Sequence, residues 1–177
     1  RAMGMMRQEH PEDSITCWMS AQGAMVPIGR LWEMRKSAIA PIETTNPWPG
    51  IERRIWHRVS PGHQYVAGLD PSGGGSGGDQ AVLQVLSSRG AHVATLIGRA
   101  DPTYFNQQAC KLGLEYNQAL LVIERNGLGV SAVETAAKSL AYPYLWWARA
   151  EYGTDGRLLS REPFGLWITD TLIENLY

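Results

Sequence analysis

Cysteine is nearly absent from this chain, with only Cys17 and Cys110 among its 177 residues. Two thiols so far apart exclude a disulfide framework and a CxxC metal site, and they read as free thiols in a reducing compartment. Surplus charge is missing too. Sixteen Lys and Arg face 17 Asp and Glu for a net charge of -1, so no global field announces a polyanion or a membrane surface, and any such site must be local. No apolar run approaches the roughly 20 residues of a membrane span, and the N-terminus carries no signal-peptide core. The four histidines stand in no HxH or HExxH spacing and none reads as a ligand. There is no internal repeat. The length suits one ordinary domain with a real core, and Arg1, which is not an initiator, reads as a start inside a longer protein.

What is present falls into an irregular part and a regular part. Across residues 1–60 one amphipathic helix is expected in "IGRLWEMRKSA", with Leu31, Met34 and Ala38 on one face. "APIETTNPWPG" follows, and its Pro41, Pro47, Pro49 and Gly50 forbid a continuous helix or a central strand, so it reads as an extended connector. From Gln64 the pattern sharpens. "YVAGLD", "QAVLQVLSS" and "AHVATLIGR" are expected as three antiparallel strands, with Arg89-Gly90 turning between the last two. "DPTYFNQQACKLGLEYN" reads as a helix capped by Asp101, with Pro102 first and Phe105, Ala109, Leu112 and Tyr116 inward. "ALLVIE" is a strand buried on both faces. "GVSAVETAAKSLA" is expected as a helix with Val130, Val133, Ala137 and Leu140 inward, and "YPYLWWARA" as a strand. A hairpin tip at Asp155-Gly156 and a helix opening at Thr169 or Asp170 close the order. This order implies an α/β fold: an antiparallel β-meander, then parallel strands with helical crossovers, in one mixed sheet flanked by helices.

Two acids fall at the carboxyl ends of buried strands: Asp70 closes "YVAGLD" and Glu124 closes "LLVIE". In this topology the two strands are expected to lie side by side and parallel, so both carboxylates emerge at the same edge. Like charges brought together repel, and a divalent cation removes that penalty. Hard oxygen donors suit Mg²⁺ or Mn²⁺, which polarise a phosphodiester and generate hydroxide. Asp79, opening the next strand, is a candidate auxiliary ligand or simply a turn acid. Each strand-end acid also has an ordinary reading, Asp70 as a turn cap and Glu124 as the partner of an arginine.

The loop "PSGGGSGGD" between them has no GxxxxGK[ST] spacing and runs into a strand rather than a helix, so it is no P-loop. Its glycines and Gly68 are expected to give a substrate backbone room to approach. "RNGLG" after Glu124 offers either a phosphate-holding helix start or an ordinary tight turn. Arg125 and Asn126, together with Arg149, Arg157 and Arg161 around the hairpin, form a loose polar and basic set that reads as DNA contact or as solvated surface. The tryptophans read first as core.

Taken in order, "YVAGLDPSGGGSGGDQAVLQVL", "DPTYFNQQACKLGLEYNQALLVIERNGLG", "YPYLWWARAE" and "FGLWITD" resemble the nuclease domain of the large terminase subunit of tailed bacteriophages. The preceding "EHPEDSITCWMSAQGAMVPIGRL" resembles the segment that joins the ATPase motor to that nuclease. The resemblance implies a ribonuclease H-like fold with an auxiliary β-hairpin, residues 1–60 as the linking segment and 61–177 as the nuclease. It implies an endonuclease cutting concatemeric double-stranded DNA by two-metal hydrolysis, with two divalent cations (Mg²⁺ or Mn²⁺) as cofactors and Asp70 and Glu124 as metal-binding acids. Implied partners are double-stranded DNA, the motor domain of the same polypeptide, the portal protein and the small terminase subunit, in the cytoplasm of a bacterial host and with no membrane. The family's third metal-binding aspartate is expected beyond Tyr177, which makes weak activity of this stretch an expectation. Two alternatives stay open: another ribonuclease H-like nuclease, such as a junction resolvase or transposase, and an actin-like ATP-binding module.

Overall fold

A computed structural model describes residues 27–74, 78–146, 150–152, 158–161, 165 and 166. The chain divides after Ala40 into two compact units. In the first, α1 (Ile28–Ser37) forms where expected. An Arg30–Glu33 pair at 3.0 Å one turn apart supports it, and Arg35 and Lys36 in its last turn suit the negative end of the helix dipole.

At the centre of the second unit, two strands follow strict alternation. In β3 (Tyr65–Asp70) every second side chain is buried, Tyr65, Ala67 and Leu69 pointing in while Val66, Gly68 and Asp70 point out. The same period runs through β4 (Ala81–Ser87), which pairs antiparallel with β3, and β4 pairs in turn with β5 (His92–Gly98). A strand with one wet and one dry face alternates in this way, so register and hydrophobic pattern fix each other. Gly90, at φ 78°, turns the chain between β4 and β5 as expected.

The stretch expected to be a connector is instead a hairpin of β1 (Glu43–Trp48) and β2 (Ile51–Ile55), and β2 pairs with β5. Its prolines are tolerated because β1 is the outer strand, where a missing N–H breaks no ladder. Pro49-Gly50, with Gly50 at φ 79°, supplies the left-handed position of its two-residue turn. On the far side β6 (Leu120–Ile123) lies parallel to β3, giving the order β1-β2-β5-β4-β3-β6. Leu145, within "YPYLWWARA", and Leu166 extend the sheet by isolated parallel bridges to Leu121 and Glu124; residues 147–149 of that expected strand lie outside the described residues. β7 (Ala150–Tyr152) and β8 (Leu158–Arg161) form the expected separate hairpin. The expected terminal helix, Cys17, Arg149 and Arg157 lie outside the described residues.

The helices meet the dry side. In α2 (Pro102–Glu115) the Asp101 carboxylate accepts from the Thr103 N–H at 2.8 Å, a cap of about 1 kcal/mol, and Phe105, Ala109 and Leu112 are buried with Tyr116, as its spacing predicts. α3 (Gly129–Glu134) runs on into a π-helical turn, Thr135–Ser139. Its inward face differs from expectation by one position. Gly129, Ala132, Val133 and Ala136 are buried while Val130 is exposed, and Ala137 and Leu140 pack only partly. Small residues win here because the helix start sits against the end of β6: a Cβ on Gly129 would stand 1.8 Å from the Glu124 carbonyl oxygen.

Candidate functional site

The parallel pairing of β3 and β6 sets Leu69 opposite Ile123, and the Glu124 N–H donates to the Leu69 carbonyl at 2.8 Å. Asp70 and Glu124 therefore leave neighbouring strands at the same edge, as the sequence led us to expect. Both side chains border a groove of about 470 Å³ on the wet face of the sheet, shared with Gly68, Val82, Gln84 and Val122. Asp70 is the last residue of β3, which is paired on both sides, and Glu124 directly follows β6, tied by its N–H to Leu69 and by a parallel bridge to Leu166.

The electrostatics follow from that placement. Partial burial, and after it the charge of Asp70, push the Glu124 carboxyl above the ordinary glutamate range. Among the described residues, neither carboxylate has an ion-pair or side-chain hydrogen-bond partner. Two uncompensated, hard-oxygen anions facing open space are the donor set that suits one Mg²⁺ or Mn²⁺ with waters completing its shell. Also among the described residues, no group of three or more His, Cys, Asp or Glu gathers at any one place. Asp79 is exposed, and its backbone carbonyl accepts the Ser72 hydroxyl at 2.8 Å.

Three features fix the described ends of the glycine-rich loop. Besides the Ser72–Asp79 bond, Arg99 Nε donates to the Gly78 carbonyl at 2.7 Å. Gly74, at φ 68°, sits where a Cβ would stand 1.9 Å from the Ala100 carbonyl oxygen. The glycine at 74 is thus required by the chain's own packing against the approach to α2. Arg99 was not legible as an anchor, because its partner is a backbone carbonyl 21 residues away.

Arg125 and Asn126 directly follow Glu124 and are half-buried. The Arg125 N–H donates to the Leu166 carbonyl at 2.8 Å, and the Asn126 carbonyl accepts from Gly129. That last bond gives "RNGLG" the tight-turn role. Arg161 lies in β8. Gln84, exposed beside Gly68 in the groove, was missed by sequence reasoning, since a lone glutamine on a strand carries no spacing signal. A second hollow of about 580 Å³ lies at the opposite ends of β3 and β6, around His63, Gln64, Asn117 and Tyr144, and no carboxylate lines it.

No protein-family model matches the chain, and no curated protein matches it. Among solved structures it is similar to the large terminase nuclease domain of Thermus phage P74-26, with a TM-score of 0.51 and 16% identity over 77% of this chain and 57% of that one. The large terminase nuclease from thermophilic phage G20c is matched in two forms. The form with bound zinc gives a TM-score of 0.48 and 21% identity, covering 60% of this chain and 57% of that one. The form with bound magnesium gives 0.48 and 16%, covering 76% and 87%. The chain thus spans 57% of the P74-26 domain and of the zinc-bound form. Its six-stranded mixed sheet, with a parallel strand added beside an antiparallel meander and helices packed on the dry face, is the ribonuclease H-like fold of phage large terminase nuclease domains.

Proposed function

We propose that this chain is the nuclease part of a phage DNA-packaging terminase, a metal-dependent endonuclease that hydrolyses phosphodiester bonds of double-stranded DNA. One observation carries the reading: Asp70, the last residue of β3, and Glu124, directly after the parallel strand β6, are unpaired among the described residues and border one open groove. Asp70 and Glu124 would hold one divalent cation between them, Mg²⁺ or Mn²⁺. A second cation would draw on Asp79 or on residues outside those described. Bound there, divalent cations supply a Lewis acid for the phosphoryl oxygens and lower the pKa of a coordinated water.

The chain's own contribution is placement. The β3–β6 ladder ends at Leu69 and Ile123, one residue before each carboxylate, and so would set their separation and direction as an ion site needs. Partial burial of Glu124 keeps its charge poorly solvated and ready for a cation. Arg125 and Asn126, beside Glu124, are the nearest candidates for contacts to DNA phosphates, with Arg149, Arg157 and Arg161 proposed as further candidates from the sequence alone. Of the residues 1–60 expected as the link to an ATPase motor, β1 and β2 belong to the nuclease sheet, so in this reading the link falls before Pro41; the portal and small terminase subunit are further partners.

Supercoiled plasmid incubated with the protein and Mn²⁺ or Mg²⁺ should be nicked and linearised, and Asp70→Asn and Glu124→Gln should each reduce the rate at least about 100-fold. Cleavage that persists in Asp70→Asn, or that proceeds equally well in EDTA, overturns the reading.

A further inference from the structure

Several glycines of this fold are explained by what surrounds them. A Cβ would strike backbone at 2.5 Å on Gly50, 1.9 Å on Gly74, 2.0 Å on Gly98 and 1.8 Å on Gly129. Gly68 differs from all of these. It sits inside β3, paired with Gln84 on one side and Val122 on the other. Its φ is not positive, and a Cβ built on it meets no atom within 4 Å. Folding therefore asks for no glycine here. A glycine inside a strand even weakens it, through the greater freedom of the unfolded chain and the loss of a side chain to pack.

The position of Gly68 says what the bare backbone serves. It is two residues before Asp70, so it faces the same wet side, and it forms part of the groove that ends at the two carboxylates. Around it the groove is mostly apolar, with Val82 and Val122, and the Gln84 carboxamide stands directly across the ladder. A flat spot of extended backbone, bordered by apolar side chains and one neutral amide, fits a deoxyribose and its linking phosphate better than a base edge. Base edges ask for several directed donors and acceptors.

Resting on the nuclease reading, we propose that Gly68 is a positioning residue: the seat on which the sugar–phosphate backbone of the cleaved DNA strand lies, so that the next phosphate reaches Asp70 and Glu124. Gln84 donates to that backbone from the side. A methyl group at residue 68 stands between the DNA strand and the sheet, lifting the phosphate away from the carboxylates without disturbing either of them.

The experiment compares Gly68→Ala, Gly68→Val and Asp70→Asn in the same chain. Gly68→Ala should keep the melting temperature or raise it by about 1–3 °C, and should leave the Mg²⁺-induced rise in melting temperature as in the parent. Its kcat/KM on plasmid should fall at least 10-fold, and Gly68→Val should fall further. A labelled 20-base-pair duplex, read by fluorescence anisotropy in EDTA, should bind at least 5-fold more weakly to Gly68→Ala than to the parent. If Gly68→Ala binds and cuts as the parent does while Asp70→Asn is inactive, the seat is wrong and the nuclease reading stands. If Gly68→Ala melts well below the parent, the glycine is structural and the proposal falls. If Asp70→Asn cuts normally, the nuclease reading fails and takes the seat with it.

Discussion

Replacing Glu124 by glutamine should make the metal-free protein more stable, an unusual outcome for a change at a partly buried carboxylate. Neighbouring strands run about 4.8 Å apart, which puts the Asp70 and Glu124 charges roughly 5–6 Å from each other. At an effective dielectric of about 20 their repulsion is about 3 kcal/mol, and at about 40 it is half that. Asp70 is exposed, so the lower figure is the better guide. Removing about 1–1.5 kcal/mol of repulsion from a chain of 177 residues raises its melting temperature by about 3–5 °C. The gain depends on pH with a definite sign. Burial and the Asp70 charge raise the folded-state pKa of Glu124 above its unfolded value, so its contribution to stability is fully present below the unfolded pKa and is lost as pH rises through the folded pKa. Parent and Glu124→Gln should therefore melt alike in acid and separate as Glu124 ionises. Mg²⁺ closes the gap: at 10 mM, with a dissociation constant of about 1 mM, the parent gains about 1.4 kcal/mol, about as much as the variant gained from losing the repulsion, and the variant gains little. Calorimetry of both proteins at pH 4 and pH 8, in EDTA and in Mg²⁺, tests each of these expectations. A Glu124→Gln protein that melts at or below the parent at pH 8 in EDTA refutes the repulsion. A parent melting temperature that tens of millimolar Mg²⁺ and Mn²⁺ leave unmoved refutes the ion site.

Gly74→Ala should destabilise by about 2–4 kcal/mol, from a strained positive φ and a Cβ driven into the Ala100 carbonyl; an urea midpoint equal to the parent's counts against the loop packing described here. The Cys110 thiol, pushed up to about 12 by burial, should stay unreactive to Ellman's reagent at pH 8 until the protein unfolds, and prompt modification of Cys110, resolved by peptide mass mapping, contradicts its burial. Arg125→Ala should weaken duplex binding for all sequences alike and flatten the slope of log K against log salt by about 1; an unchanged slope removes Arg125 from the phosphate contacts.

The alternation of "YVAGLD" and "AVLQVLS" made both faces of the meander readable, because one wet face and one dry face leave only one register. The common direction of the strands carrying Asp70 and Glu124 was readable too: two antiparallel turns make β5 run the same way as β3, and the 14-residue helix after β5 returns β6 parallel to both. The β1–β2 hairpin was hidden by Pro47, Pro49 and Gly50, which argue against a strand only when it is central. The face of α3 was misjudged because hydrophobicity favours Val130 over Gly129 and Ala132. The contact that decides, the Glu124 carbonyl against Gly129, arises only once β6 is in place.

The two faces of the sheet carry different demands, and that division explains why the site's glycines resist a single reading. On the dry face each position is fixed by a neighbour in the chain, as Leu83, Val85, Leu121 and Ile123 are by the helices above them. On the wet face no described neighbour makes such a demand on Asp70, Glu124 or Gly68. Residues that the fold does not need, and that cost it charge repulsion or strand entropy, persist only if something outside the chain needs them. Gly74 and Gly129 belong to the first class and frame the groove; Gly68 and the two carboxylates belong to the second and, in the proposed reading, face the substrate. Measured stability and measured activity should therefore move together for substitutions at Gly74 or Gly129, and in opposite directions for Gly68→Ala and Glu124→Gln.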